Sequence, residues 1–212
     1  MTGPTKVLLV DDHAVVREGY RRLLEDEQGI RVVGEASNAA EAYEHARSLG
    51  PDVVVMDIAL PGVSGIEATR RMLKDQPHLR ILMFSMYDDA IYARRALEAG
   101  ARGYLSKASA PEVLVQAIYA VSRRERYVSA DVAANMAQSA AQPGKSEIEA
   151  LTPREFEVLR LLVQGETVRS IGEKLGLSEK TIANHQSAIR EKLGARNSAQ
   201  LARLASQLNL SI

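Results

Sequence analysis

Val53-Val54-Val55-Met56-Asp57-Ile58-Ala59-Leu60-Pro61-Gly62 is the stretch from which the fold can be read. Its four leading apolar residues, mostly β-branched, read as a strand buried on both faces in the middle of a parallel sheet. The run ends on a carboxylate, and Pro61-Gly62 turns the chain just beyond it. Ligands of open α/β sheets bind at the carboxyl ends of the strands, so Asp57 is placed for chemistry, although a lone strand-end Asp also serves simply to cap a loop.

Working outward, Lys6-Val7-Leu8-Leu9-Val10 is a first buried strand ending on Asp11-Asp12. A helix follows with Val15, Val16, Leu23 and Leu24 at helical spacing, then a strand from Ile30 to Ala36. Asn38 caps a helix with Glu41 at its third position, and Gly50-Pro51 stops it. After the Asp57 strand come a helix from about Gly65 to Asp75, a strand Arg80 to Ser85 and a helix from Asp88 or Asp89 to Ala99. A short strand Gly103-Tyr104-Leu105-Ser106-Lys107 leads to a helix with Pro111 in its first turn, reaching Ser122. This alternation predicts a flavodoxin-like doubly wound α/β fold with five parallel strands in the order 2-1-3-4-5.

That order sets Asp11, Asp12 and Asp57 on adjacent strand ends, with Ser85 and Lys107 on the next two. Three carboxylates at close range repel and are stable together around a cation, and hard oxygen ligands in a half-open site favour Mg²⁺. Lys107 adds a positive charge and Ser85 a hydroxyl donor. The set suits phosphoryl transfer to a carboxylate. Each residue taken singly reads equally well as a loop cap or a solvated charge.

From Arg123 to Glu147 the pattern loosens into a linker, with an Ala-rich stretch at 130–141 open to partial helix formation. Beyond it the periodicity is helical only. Thr152-Pro153-Arg154-Glu155 starts a helix carrying Phe156, Val158, Leu159 and Leu162. Val168 to Leu175 is a short helix, Gly176-Leu177-Ser178 a tight turn, Glu179 to Leu193 a longer helix, and a fourth begins near Ser198. The boundaries expected are therefore 1–122, a linker 123–147, and an all-α domain 148–212.

Composition narrows the classes. At 212 residues, 46% hydrophobic and 25% charged, the chain has the make-up of a globular protein with two cores. No apolar run reaches the ~20 residues of a membrane span, and the N-terminus lacks a signal-peptide pattern. The absence of cysteine rules out disulfides and thiolate metal sites and fits the cytoplasm. Residues 148–212 carry nine Lys or Arg against seven Asp or Glu, leaving eighteen against twenty elsewhere. The small positive excess points to an anionic partner for the C-terminal domain.

Residues 1–122 resemble the receiver domain of two-component response regulators. The resemblance is carried by Leu8-Leu9-Val10-Asp11-Asp12-His13, Met56-Asp57-Ile58-Ala59-Leu60-Pro61-Gly62 and Gly103-Tyr104-Leu105-Ser106-Lys107. It implies that Asp57 is the phosphoacceptor, taking phosphate from a histidine of a sensor kinase. It further implies that Asp12, Asp57 and the Ala59 carbonyl ligate Mg²⁺ with Asp11 acting through a water. Ser85 and Tyr104 take the switch positions, with Tyr104 following Ser85 inward on phosphorylation, and Lys107 binds the phosphate. His13 reads as the residue that starts the first helix, and His45 and His78 as surface residues.

Residues 148–212 resemble the helix-turn-helix output domain of the NarL/LuxR (FixJ) family. The matching words are Leu151-Thr152-Pro153-Arg154-Glu155, Gly165-Glu166-Thr167, and Leu177-Ser178-Glu179-Lys180-Thr181-Ile182 leading to Lys192-Leu193-Gly194. A generic helical bundle shares the periodicity but not these words. The fit departs at Phe156, where polar residues are common, and at Ala183 and Gln186, where basic ones are frequent. The resemblance turns Ala183, Asn184 and Ser187 toward the bases of double-stranded DNA. Lys180, Thr181 and Arg190 are placed for phosphates, and His185 for packing or the backbone. With so few cations in the reader, two copies must act together.

The reading is a cytoplasmic DNA-binding response regulator, not an enzyme beyond its own phosphotransfer and dephosphorylation, in which phosphorylation of Asp57 promotes a homodimer. Two alternatives stand beside it. A pseudo-receiver would bind DNA without regard to phosphate. An Mg²⁺-dependent aspartyl-phosphate phosphatase would need a general acid two residues after its nucleophile, where this chain has Ala59.

Overall fold

The computed structural model describes residues 3–88, 90–140, 150–195 and 200–201. The chain divides into two compact units, Met1–Ser139 and Ala140–Ile212.

The first unit alternates β1 (Thr5–Val10), α1 (Ala14–Glu25), β2 (Ile30–Ala36), α2 (Ala39–Leu49), β3 (Val53–Met56), α3 (Gly65–Asp75), β4 (Ile81–Ser85), α4 (Ala90–Glu98), β5 (Gly103–Ser106) and α5 (Pro111–Ser122). Every strand pair is parallel. All four residues of β3 are buried, as a strand covered on both faces must be. On one face Val7, Leu9, Val53, Val55, Leu82, Phe84 and Leu105 pack with Leu24 of α1 and Leu114, Ile118 and Val121 of α5. On the other, Met83 meets Thr69 of α3 and Leu8 lies near Leu49 of α2. The switch of side-chain direction at each residue along a strand divides the core this way.

Two details differ from expectation. Val15 is 87% exposed, because the buried stripe of α1 runs through Val16, Tyr20, Leu23 and Leu24 and leaves its neighbour outside. The sheet also has six strands in the order β2-β1-β3-β4-β5-β6, not five. The sixth, β6 (Tyr127–Val128), takes the free edge of β5 and is followed by α6 (Ala130–Ala140). A two-residue strand inside a charged stretch carries no readable period.

The turn into β6 is held by a six-residue helix-end motif: Arg124 N–H donates to Val121 O (2.9 Å) and Glu125 N–H to Ala120 O (3.0 Å). Its left-handed position, usually given to glycine, is occupied by Arg124 at φ 68°.

The second unit begins with α7 (Pro153–Val163), followed by α8 (Val168–Leu175) and α9 (Glu179–Lys192). Thr152 and Glu155 form a complete capping box at the start of α7. Ile171, Leu175, Ile182, Ile189 and Leu193 are buried. The fourth helix expected from Ser198 lies outside the described residues, except that Gln200 and Leu201 are helical.

Because a side chain in the left-handed region costs about 1–2 kcal/mol and glycine gives part of that back as unfolded-state entropy, Arg124→Gly should stabilise the first unit by roughly 0.5–1 kcal/mol. Denaturant unfolding of the full chain measures it; a loss of stability would show that the Arg124 side chain contributes more than its backbone costs.

Candidate functional sites

The ladder of the first unit sets the acidic residues side by side. Asp57 N–H donates to Val10 O (2.9 Å), Asp11 N–H to Ala36 O (3.0 Å) and Lys107 N–H to Ser85 O (2.8 Å). Each functional residue is thus the first step beyond, or the last residue of, its strand. Lys107 reaches between two buried carboxylates, with Nζ 2.6 Å from Asp11 Oδ2 and 2.6 Å from Asp57 Oδ2. Asp57 Oδ1 accepts from the backbone N–H of Ile58 (2.6 Å) and, more distantly, of Ala59 (3.4 Å).

Burial pushes the Asp57 carboxyl above its ordinary range, against the pull of Lys107. Burial also works to lower Lys107, but Asp57 and Asp11 outweigh it and hold the ammonium above its usual value. The lysine therefore stays charged, and its pull on Asp57 offsets only part of the rise that burial causes.

Asp11, Asp12, His13 and Asp57 each offer a ligand atom, and these atoms all lie within 4.8 Å of one another. Donors bound at right angles to a small divalent ion stand about 3 Å apart, and opposite donors about 4 Å. The spacing and the hard oxygens thus fit such an ion. His13 is more than the start of α1: its N–H donates to Asp11 Oδ1 (2.8 Å) and its ring Nδ1 lies 2.8 Å from Asp12 Oδ1. Arg17, which carries no sequence signal at all, donates to the Asp11 carbonyl and pairs with Glu35 at 2.8 Å.

A further residue missed in the sequence is Gly65. A Cβ there would fall 1.8 Å from the Asp57 carbonyl, so only glycine lets α3 begin against the backbone of the acidic residue. A cavity of about 430 Å³ is lined by Asp57, Ser85 and Lys107 together with Tyr20, Met86 and Tyr87.

Ser85 is fully buried, and its Oγ accepts from Tyr87 N–H at 3.4 Å. Tyr104 is also fully buried, its hydroxyl donating to Tyr87 O at 2.6 Å. The Tyr104 ring thus lies in the interior, tied to the β4–α4 loop.

In the second unit Ser178 caps α9, accepting from Thr181 N–H at 3.2 Å. Ile182 and Ile189 face inward, while Lys180, Ala183, Asn184 and Ser187 are exposed and Thr181 and Arg190 half-buried. Ser187 Oγ donates back to Ala183 O (3.1 Å) and Arg190 Nε to Gln186 O (3.3 Å). Asn184 presents its side-chain amide on this exposed face. His185 is half-buried, and desolvation lowers its pKa. Lys192 clamps Glu155 at 2.7 and 3.0 Å, joining the end of α9 to the start of α7. Burial raises the Glu155 pKa, but Lys192 and Thr152 outweigh it and set the carboxyl below its ordinary value.

The raised Asp57 pKa fixes a sign. A carboxyl raised on folding adds stability below its unfolded value of 3.8 and loses it as pH rises through the folded value. Without divalent ions, Asp57→Asn should therefore unfold at a higher temperature than the parent at neutral pH, with the gap closing toward acid. Calorimetric scans across that range check it; a less stable Asp57→Asn protein would mean the Lys107 pair outweighs desolvation.

Residues 7–119 match the family model for the response regulator receiver domain, and residues 149–205 that for bacterial regulatory proteins of the luxR family. The chain is 40% identical over 201 residues to the response regulator UvrY of Escherichia coli (strain K12), covering 94% of this chain and 92% of that one. It is 39% identical over 202 residues to the response regulator GacA of Pseudomonas aeruginosa, covering 94% of each. Among solved structures, a LuxR-family two-component response regulator from Aurantimonas sp. SI85-9A1 superposes with a TM-score of 0.64 at 47% identity, over 66% of this chain and 100% of that one. RcsB from Salmonella enterica serovar Typhimurium, bound to promoter rprA in the presence of the phosphomimetic BeF3-, gives 0.67 at 28% identity, over 96% and 99%. The acidic strand-end site and the exposed recognition helix accordingly belong to one architecture, and the chain is a member of the two-component response regulators that join a receiver domain to a LuxR-type helix-turn-helix domain.

Proposed function

We propose that Asp57 accepts a phosphoryl group from the phosphohistidine of a sensor kinase, and that the phosphate governs dimerisation and DNA binding by the second unit. The observation that carries this reading is Lys107 Nζ at 2.6 Å from both Asp11 and Asp57. A carboxylate oxygen of Asp57 attacks phosphorus as the bond to the imidazole nitrogen breaks, and the electron pair stays with the departing ring. Lys107 then turns from the carboxylates to the phosphoryl oxygens, and the Ser85 hydroxyl supplies a donor to another. Asp11, Asp12, Asp57 and the Ala59 carbonyl would hold Mg²⁺, which neutralises charge on the phosphoryl oxygens.

In the second unit, Asn184 pairs with adenine, Ala183 touches a thymine methyl and Ser187 accepts either. Lys180, Thr181 and Arg190 engage phosphates. A phosphohistidine donor and a DNA target support a cytoplasmic location. Among the described residues no helix is long and apolar enough to cross a membrane. A second reading, DNA binding independent of phosphate, draws on Tyr104, whose ring is already inward.

With Mg²⁺ and acetyl phosphate, intact-mass spectra should show one added phosphoryl group, absent from Asp57→Asn and strongly slowed in Lys107→Ala. Equal uptake by the Asp57→Asn protein would remove the assignment. On cognate DNA, Asn184→Ala should cost roughly 1–3 kcal/mol and relax one base pair per half-site. Lys180→Ala should instead weaken all sequences alike and lower the salt slope by about 0.9. Site selection that leaves the Asn184→Ala preference unchanged would show that another face of α9 enters the groove.

A further inference from the structure

The segment 127–139 does more than lead out of the first unit. Tyr127 N–H donates to Arg102 O and Ser129 N–H to Tyr104 O, each at 3.1 Å, so β6 rides on the strand that carries the switch tyrosine. The seat is close: a Cβ on Gly103 would stand 2.7 Å from Tyr127 O, and only glycine admits β6 at this register. Beyond β6, Val132 of α6 is fully buried. One turn further, Asn135 Nδ2 donates to the carbonyl of Asp88 at 3.1 Å.

Asp88 belongs to the β4–α4 loop, and the same loop holds the switch. Ser85 Oγ meets Tyr87 N–H, and Tyr87 O receives the Tyr104 hydroxyl. Within four residues, therefore, the loop is tied to the phosphate-sensing hydroxyl, to Tyr104 and to α6. The extension is fixed at both ends of this device, by Ser129 to the backbone of Tyr104 and by Asn135 to the loop. We infer that β6–α6 is the element that reads the state of the receiver, through Asn135 on the β4–α4 loop, and passes it along the chain toward the DNA-binding domain. This rests on the proposed phosphorylation of Asp57.

The physical reason is the shortness of the connections. A phosphoryl group on Asp57 that draws in Ser85 displaces the backbone at 85–88, and Asn135 cannot follow without moving α6, whose Val132 is anchored in the core. The helix must then either shift with the loop or lose its hydrogen bond. Either response changes how α6 is held, and coupling of this kind is reciprocal. Loosening α6 loosens the loop, whether or not phosphate is present.

Hydrogen exchange on the full-length protein tests this. Asn135→Ala should speed exchange of the amides at 86–88 by about threefold to tenfold, the effect of one net hydrogen bond. Asn135→Asp, which keeps the shape and lacks the donor, should do the same. Both should keep the parent unfolding midpoint within a few degrees, since the side chain is only half-buried. Unchanged exchange at 86–88 in both variants would overturn the inference. In a second arm, acetyl phosphate and Mg²⁺ should alter exchange across 127–136 in the parent and far less in Asn135→Ala. If mass spectra show phosphate on Asp57 and 127–136 is unaffected, the inference fails. If no phosphate is taken up at all, it is the functional reading that fails, and the first arm alone decides whether α6 and the loop are coupled.

Discussion

Everything at the head of the sheet depends on one arrangement: an ammonium group held between two buried carboxylates. Asp11 and Asp57 are 6% and 3% exposed. Two negative charges so close and so poorly solvated would drive one of them to protonate. Lys107, at 2.6 Å from each, keeps the pair usable. The geometry follows from topology rather than from local sequence. The register of β1 with β3 puts Asp11 and Asp57 on neighbouring strand ends, and that of β3 with β4 and β4 with β5 brings Lys107, 50 positions from Asp57, to the end of the strand one further along.

Charge density at the site and order in the loops around it are linked. Asp11 is braced by Arg17 and by the His13 amide, and Asp57 by two backbone N–H groups and the close start of α3 at Gly65. The wall formed by the β4–α4 loop is held differently. Among the described residues, the Tyr104 hydroxyl and the Asn135 side-chain amide both bond backbone carbonyls of this loop, and Tyr87 stacks on Tyr92. A loop tied through its backbone carbonyls to Tyr104 and to α6 is suited to pass on a change of backbone position made at the acidic site. In the second unit the Glu155–Lys192 clamp ties the end of α9 to the capped start of α7.

Much of this was legible in the residues themselves. The apolar run 53–56 identified the central strand, and the alternation of strands and helices gave the order of the first five. The acids and Lys107 could be grouped because parallel topology puts all strand ends on one side. Three things were not legible. β6 has two residues and no period, and what seats it is an absent side chain at Gly103. Val15 follows the helical spacing yet lies outside, since the burial of one stripe depends on where the sheet sits. The contacts of His13 and Arg17 with the acids depend on the start of α1, where neither residue type announces a role. Tyr104 is a related case: the resemblance marked it as mobile, and only the hydrogen bond to Tyr87 O reveals that its ring is already inside.

On the proposed reading, phosphate on Asp57 changes what the recognition helix does. The most direct measurement is the affinity of the full-length protein for its selected DNA site at fixed salt, with and without phosphate or a phosphate mimic on Asp57, read together with its mass by light scattering. Tighter binding and a dimer are expected in the phosphorylated state, with neither change in Asp57→Asn. Identical affinity and mass in both states would contradict it and leave a DNA-binding protein whose receiver fold does not govern its output.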